Sequence, residues 1–133
     1  MSAAAAYSEL AGRLADASGD VIRRHFRNLS DVSDKVDASP VTIADRQAEE
    51  VMRALLEIEC PDHGILGEEG ENVRQDADYL WVLDPIDGTK NFASGSHQFG
   101  TLISLLLDGD PILGIINQPV LGERWFGLAG ENT

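Results

Sequence analysis

The run Trp81-Val82-Leu83-Asp84-Pro85-Ile86-Asp87-Gly88-Thr89 puts two carboxylates three residues apart, at the end of an apolar stretch. An acid at a strand end can take part in a site without ionising inside the core. Pro85 fixes its own φ and forces an extended approach at Asp84. Asp87-Gly88 turns the chain. Gly88-Thr89 then opens a helical turn whose first N–H groups have no partner within the helix. Such N–H groups, at a positive dipole end, suit a phosphate oxygen. Two carboxylates aimed the same way repel unless a cation lies between them. Oxygen donors of this kind suit Mg²⁺, which binds through carboxylates and keeps several waters.

Two further acidic features accompany this run. Glu68 and Glu69, in Gly67-Glu68-Glu69-Gly70-Glu71, follow the apolar residues Gly64 to Leu66. If that segment is a strand beside Trp81–Leu83, Glu68 or Glu69 lies next to Asp84. Asp45 stands in the first turn of an expected helix. Plainer roles are open to all of them. Asp84 and Asp87 could be ordinary turn residues, and Asp45 a helix-terminus acid. Glu69, Glu71, Asp76 and Asp78 read most simply as a solvated acidic loop. His25, His63 and His97 have no metal-ligand spacing, and Trp81 and Trp125 read as sheet or core residues.

The elements that must position these groups are legible in the periodicity. Tyr7, Leu10, Leu14, Ala17 and Val21 mark one face of an amphipathic helix running to about Arg27, weakened slightly by Gly19. Asn28 to Pro40 is polar and aperiodic, hence a loop. Thr42 is expected to begin a second helix, with Asp45 as its capping partner. Ala44, Ala48, Val51, Leu55 and Ile58 form its apolar stripe, and Cys60-Pro61 ends it. Short strands follow in Gly64–Glu69 and Tyr79–Asp84. Two long apolar runs, Phe99 to Leu107 and Ile112 to Val120, are joined by Asp108-Gly109-Asp110-Pro111, a hairpin turn. Glu123 to Leu128 adds a last strand. The pattern predicts an α+β fold, two helices packed on a largely antiparallel sheet, in a single domain over residues 1–133 with no repeat and no linker.

Charge narrows the partners. The chain carries 10 Lys+Arg against 23 Asp+Glu, a formal net charge of −13, so it should repel nucleic acid and anionic membranes and attract cations. One cysteine, Cys60, excludes an internal disulfide. The first residues lack the basic and apolar regions of a signal peptide, and no apolar run approaches a membrane span. The expectation is a cytoplasmic protein.

Haloacid-dehalogenase phosphatases also place an Asp before Asp-Gly-Thr, but with one residue between the acids. Here Pro85 and Ile86 intervene, which rotates the second carboxylate away from that geometry. The pieces together resemble instead the inositol monophosphatase family of metal-dependent phosphatases. The resemblance is carried by Val41-Thr42-Ile43-Ala44-Asp45, Gly67-Glu68-Glu69 and Asp84-Pro85-Ile86-Asp87-Gly88-Thr89-Lys90-Asn91-Phe92, in that order. The run Phe99 to Ile103 and the segment Gln118 to Trp125 look most like the histidinol-phosphate phosphatase branch.

The resemblance implies a layered α/β sugar-phosphatase-like fold and Mg²⁺, or Mn²⁺, as cofactor. It implies that Glu68, Asp84 and the Ile86 carbonyl oxygen hold a first ion, and that Asp84 and Asp87 share a second. Asp87, Gly88 and Thr89 would meet the substrate, the last two through backbone N–H groups. Asp45, Glu68 and Thr89 would be catalytic, with Thr89 and Asp45 pairing to take a proton from water. Lys35 would border the metal site. The substrate implied is a small phosphorylated metabolite, foremost histidinol phosphate on the path to histidine, with inositol 1-phosphate or a related sugar or nucleotide phosphate as the alternative.

The chain is about half as long as members of that family. It lacks the later Trp-Asp motif that completes the second metal site. The expectation is therefore the N-terminal, metal-binding half of such an enzyme, inefficient alone, and associating as a homodimer or with its own C-terminal half. A non-catalytic metal-binding module that docks on other proteins is the second reading.

Overall fold

A computed structural model of the chain describes residues 2–27 and 40–130. Helix α1 spans Ala3–His25 and α2 spans Pro40–Glu59. Strand β1 is Gly64–Gly67, β2 is Tyr79–Asp87, β3 is Gly100–Leu107, β4 is Asp110–Gln118 and β5 is Glu123–Leu128. A short helix, α3, covers Thr89–Ala93. The five strands form one sheet in sequence order; only the β1–β2 pair is parallel. The α+β architecture expected from the sequence is thus present, with α3 as a small third helix.

Ser2 caps α1 by accepting a hydrogen bond from the Ala5 N–H at 3.1 Å, satisfying one of the donors that a helix start leaves open. Helix α2 begins at Pro40, two residues before the expected Thr42, and proline suits a first turn because its missing N–H is not needed there. The fully buried row of α2 is Ala44, Ala48, Met52 and Leu56; of the continuation read from the sequence, Val51 and Leu55 pack partly buried at the rim of the core and Ile58 alone leaves it. Ile58 is 78% exposed. Each four-residue step turns forward by about 40° and each three-residue step back by about 60°, so the mixed steps leave Val51 and Leu55 at the rim of the buried face and carry Ile58 past it.

One core cluster joins Leu10, Leu14, Met52 and Leu56 to the inner side chains of the sheet, Trp81, Leu83, Ile103 and Ile115 among them. A second, smaller cluster lies at the end of the sheet where β2 finishes. It unites Val21, Ile22, Ala44 and Ala48 with Ile86, Phe92 and Phe99. This cluster fixes the acidic turn, because Ile86 and Phe92 flank it on both sides. The three phenylalanines Phe26, Phe92 and Phe99 pack ring to ring, with centroids 5.2–5.8 Å apart.

The β3–β4 hairpin turns through Asp108 and Gly109, whose φ values of 50° and 86° are both positive. That is the two-residue Asp-Gly turn whose twist matches the flanking strands. The near-continuous apolar runs of β3 and β4 are covered by α1 on one face. On the other, Ile116 and Trp125 are 51% and 55% exposed.

Candidate functional site

The site begins with a register irregularity. Strand β2 pairs with β3 as Asp84 with Leu102, then as Asp87 with Gly100, so β2 carries one extra residue in that interval. Pro85 causes it: lacking an N–H, it cannot donate to a ladder and is tolerated at a bulge. The bulge is pinned by the Thr101 hydroxyl, which donates to the Pro85 carbonyl at 2.7 Å in the buried interior. Beyond it Ile86 turns into the smaller core cluster, while Asp87 is exposed. Gly88 follows with φ of 98°, a left-handed conformation, and a Cβ there would lie 3.0 Å from the Gln98 carbonyl oxygen. Thr89 then opens α3 with its side chain exposed.

Glu68 arrives from the neighbouring strand. The parallel β1–β2 pairing runs from Gly64 with Leu80 to Gly67 with Leu83. Glu68 and Asp84 are therefore the next residues out on the two strands. Both line one cleft of about 390 Å³, with Leu66, Asn72, Val82 and Leu102. The expectation that Glu68 lies beside Asp84 holds because the two strands are parallel neighbours.

Asp45 reaches the same region from α2. Its buried carboxylate lies near the Ile86 backbone N–H, which favours the ionised form. Burial pushes Asp45 up to about 7, reinforced by the charges of Glu69, Asp84 and Glu68. Asp84 is pushed up to about 6, first by burial and then by Glu68, Asp87, Glu69 and Glu49. Two features thus differ from the sequence reading. Glu69, read as part of a solvated loop, is exposed but is the strongest charge acting on Asp45. No hydrogen bond joins Thr89 to Asp45 among the described residues. Lys35 lies outside the described residues.

The charges that raise these two carboxyls are all negative. Burial and like charge disfavour ionisation together, and a divalent cation would relieve both. The donors expected from the sequence, Glu68, Asp84, Asp87 and the Ile86 carbonyl, are all oxygen. This set fits a hard cation such as Mg²⁺. Among the described residues, no three acidic, histidine or cysteine side chains are already drawn into a closed cage.

A residue that sequence reasoning missed stands behind the site. Glu49, one helical turn after Asp45, is 1% exposed. Its carboxylate accepts hydrogen bonds from the N–H groups of Glu69 at 3.2 Å and Gly70 at 2.7 Å. It also accepts from Arg53 Nε at 3.0 Å. The only signal in the sequence was the pair of glycines, Gly67 and Gly70, that flank the two glutamates.

With fold and site in view, comparison with known proteins is informative. Residues 5–133 match the model of the inositol monophosphatase family, and the chain belongs to that family. It is 54% identical over 129 residues to the bifunctional phosphatase IMPL2, chloroplastic, of Arabidopsis thaliana, covering 96% of this chain and 37% of that protein. It is 40% identical to the histidinol-phosphatase of Mycobacterium tuberculosis, over 93% of this chain and 48% of that one. Among solved structures, an inositol monophosphatase from Zymomonas mobilis superposes with a TM-score of 0.86 at 54% identity, over 98% of this chain and 50% of its own. The chain spans about half the length, or less, of the curated relatives it matches. Among the described residues no helix is long and apolar enough to cross a membrane.

Proposed function

We propose that this chain forms the metal-binding half of a Mg²⁺-dependent phosphate monoester hydrolase, with histidinol phosphate as its substrate. The observation that carries the reading is the gathering of Glu68, Asp84, Asp87 and Asp45 around the bulge at Ile86. Glu68, Asp84, Asp87 and the Ile86 carbonyl would hold the ion. When bound, Mg²⁺ would neutralise phosphoryl oxygens and make water easier to deprotonate. The chain's own residues do the rest. The Thr101 hydroxyl, bonded to the Pro85 carbonyl, fixes the bulge that orients Asp84 and Asp87. Gly88 and Thr89 offer first-turn N–H groups to the phosphate. Thr89 and Asp45 handle the proton of the attacking water.

The substrate assignment is supported by relatives named histidinol-phosphatase at 38–40% identity. Relatives named 3'(2'),5'-bisphosphate nucleotidase CysQ stand at 33–37%, and the Zymomonas mobilis structure carries the inositol monophosphatase name. Inositol and nucleotide phosphates are therefore the second reading. A substrate panel on the full-length protein carrying this chain decides: histidinol phosphate, inositol 1-phosphate, adenosine bisphosphate and fructose bisphosphate, each with and without Mg²⁺. Histidinol phosphate should show the highest kcat/KM. Preference for another monoester would overturn the substrate, and metal-independent turnover would overturn the mechanism.

We further propose that the sheet face bearing Ile116 and Trp125 seats a complementary half or a second copy. An apolar cleft of about 720 Å³ runs over that face, lined by Leu102, Ile116, Trp125 and Phe126 among others. Contiguous exposed apolar surface of this kind marks an interaction site.

A further inference from the structure

The loop that carries Glu68 is held from behind by a buried ion pair on α2. We propose that Glu49, paired with Arg53, is a positioning residue that sets the placement of Glu68 for the divalent cation; this rests on the metal-dependent reading given above. Three observations converge. The Glu49 carboxylate accepts the consecutive N–H groups of Glu69 and Gly70, the two residues directly after Glu68. Arg53 Nη1 donates to the Glu71 carbonyl at 2.8 Å, so the pair grips the loop through both of its backbone polarities. The two glycines make room for it. A Cβ on Gly67 would lie 2.5 Å from the Glu49 carboxylate, and one on Gly70 would lie 3.1 Å from the Arg53 guanidinium.

The chemistry favours a positioning role over a merely structural one. A buried carboxylate is costly to hold, and a stability role alone would be served as well by apolar packing. Here the charge is compensated by Arg53, one helical turn on, and by two backbone donors. Those donors belong to the loop, so the cost of the charge is repaid only when the loop is in place. Glu68 itself is exposed and, among the described residues, receives no hydrogen bond from α2. Its position follows from its neighbours, as metal ligands commonly depend on the groups behind them.

The test compares Mn²⁺ affinity, read from the electron paramagnetic resonance signal of free Mn²⁺, with amide exchange at Glu69 and Gly70. It uses the intact protein and three variants. Glu49→Gln keeps the shape but loses the charge and one acceptor. Gly67→Ala keeps Glu49 and drives a methyl group into its carboxylate. Leu55→Ala destabilises α2 away from the loop. Glu49→Gln and Gly67→Ala should each weaken Mn²⁺ binding by about 10–100-fold. Both should speed exchange at the two amides by roughly tenfold or more, as local opening becomes easier. Leu55→Ala should do neither. Wild-type Mn²⁺ affinity in Gly67→Ala and Glu49→Gln would overturn the proposal, as would an equal loss in Leu55→Ala. Should the wild type bind no Mn²⁺, the metal reading itself fails. Unchanged exchange at Glu69 and Gly70, with Mn²⁺ binding intact in the wild type, would instead overturn the clamp alone.

Discussion

The carboxylate of Asp45, on α2, lies near the backbone N–H of Ile86, on the bulge of β2, which favours its ionised form. That approach brings the helix layer to the acidic turn at the place where β2 leaves regular pairing. It also places a raised carboxyl beside a second one, Asp84, where among the described residues no positive charge compensates either. The consequences are measurable.

The first concerns pH. In an unfolded chain Asp45 and Asp84 ionise near 3.9. In the folded, metal-free protein they ionise at about 7 and about 6. The folded state holds these protons more tightly. Their stabilising effect is therefore full below the unfolded value and is lost as pH rises through about 6 and 7. The metal-free Tm should fall between pH 5 and pH 8, and saturating Mg²⁺ should restore it at pH 8. His63, lowered by burial, acts in the opposite sense at the acid end. Comparison with Asp84→Asn isolates the carboxylates: that variant should show a shallower fall and a higher metal-free Tm at pH 8. A metal-free Tm unchanged by Asp84→Asn at pH 8 would contradict the like-charge account.

Thr89 separates catalysis from metal retention. In the proposed mechanism its hydroxyl, at the start of α3, assists the water that attacks phosphorus. Thr89→Ala in the full-length protein should lower kcat by about 10²–10⁴-fold, the usual worth of a positioned proton-handling group. Mg²⁺ affinity should hardly change. Asp84→Asn should lower both together. A Thr89→Ala loss cured by excess Mg²⁺ would assign the residue to metal retention instead.

Gly88 tests the turn. With φ of 98° and its missing Cβ only 3.0 Å from the Gln98 carbonyl, the position admits no other residue without strain. Gly88→Ala should cost about 1–3 kcal/mol in denaturant unfolding, the range for a residue forced into a disfavoured conformation. A cost below about 0.5 kcal/mol would mean that the turn relaxes freely and does not fix Asp87.

Much of this was legible in the sequence, for identifiable reasons. The acidic turn announced itself because proline and glycine have few uses: Pro85 had to force an extended approach at Asp84, and Asp87-Gly88 had to turn the chain, although β2 runs on through its bulge to Asp87, past the end read at Asp84. The Asp108-Gly109 turn was readable for the same reason. The stripe of α2 was misread at Ile58 because side-chain type alone does not say which of two adjacent helical faces meets the sheet. Glu49 was invisible. A glutamate in mid-helix looks like any solvated charge until the loop that it holds is folded over it, 20 residues later in the chain.

The uncovered face predicts association. Ile116 and Trp125 are apolar and half exposed on a face with no helix among the described residues. The chain alone should self-associate in sedimentation velocity at micromolar concentration, and Ile116→Ser with Trp125→Ser should return it toward monomer. A monodisperse monomer at all concentrations would remove the case for a docked partner.

The central claim is that Glu68, Asp84, Asp87 and the Ile86 carbonyl hold a divalent cation. Crystals soaked in Mn²⁺ and measured near the manganese absorption edge test it most directly. The account predicts an anomalous peak within direct ligand distance, about 2.0–2.3 Å, of the Glu68 and Asp84 carboxylates and the Ile86 oxygen, and its loss in Asp84→Asn. Soaked crystals with no peak there, or with manganese only among Glu71, Asp76 and Asp78, would contradict it.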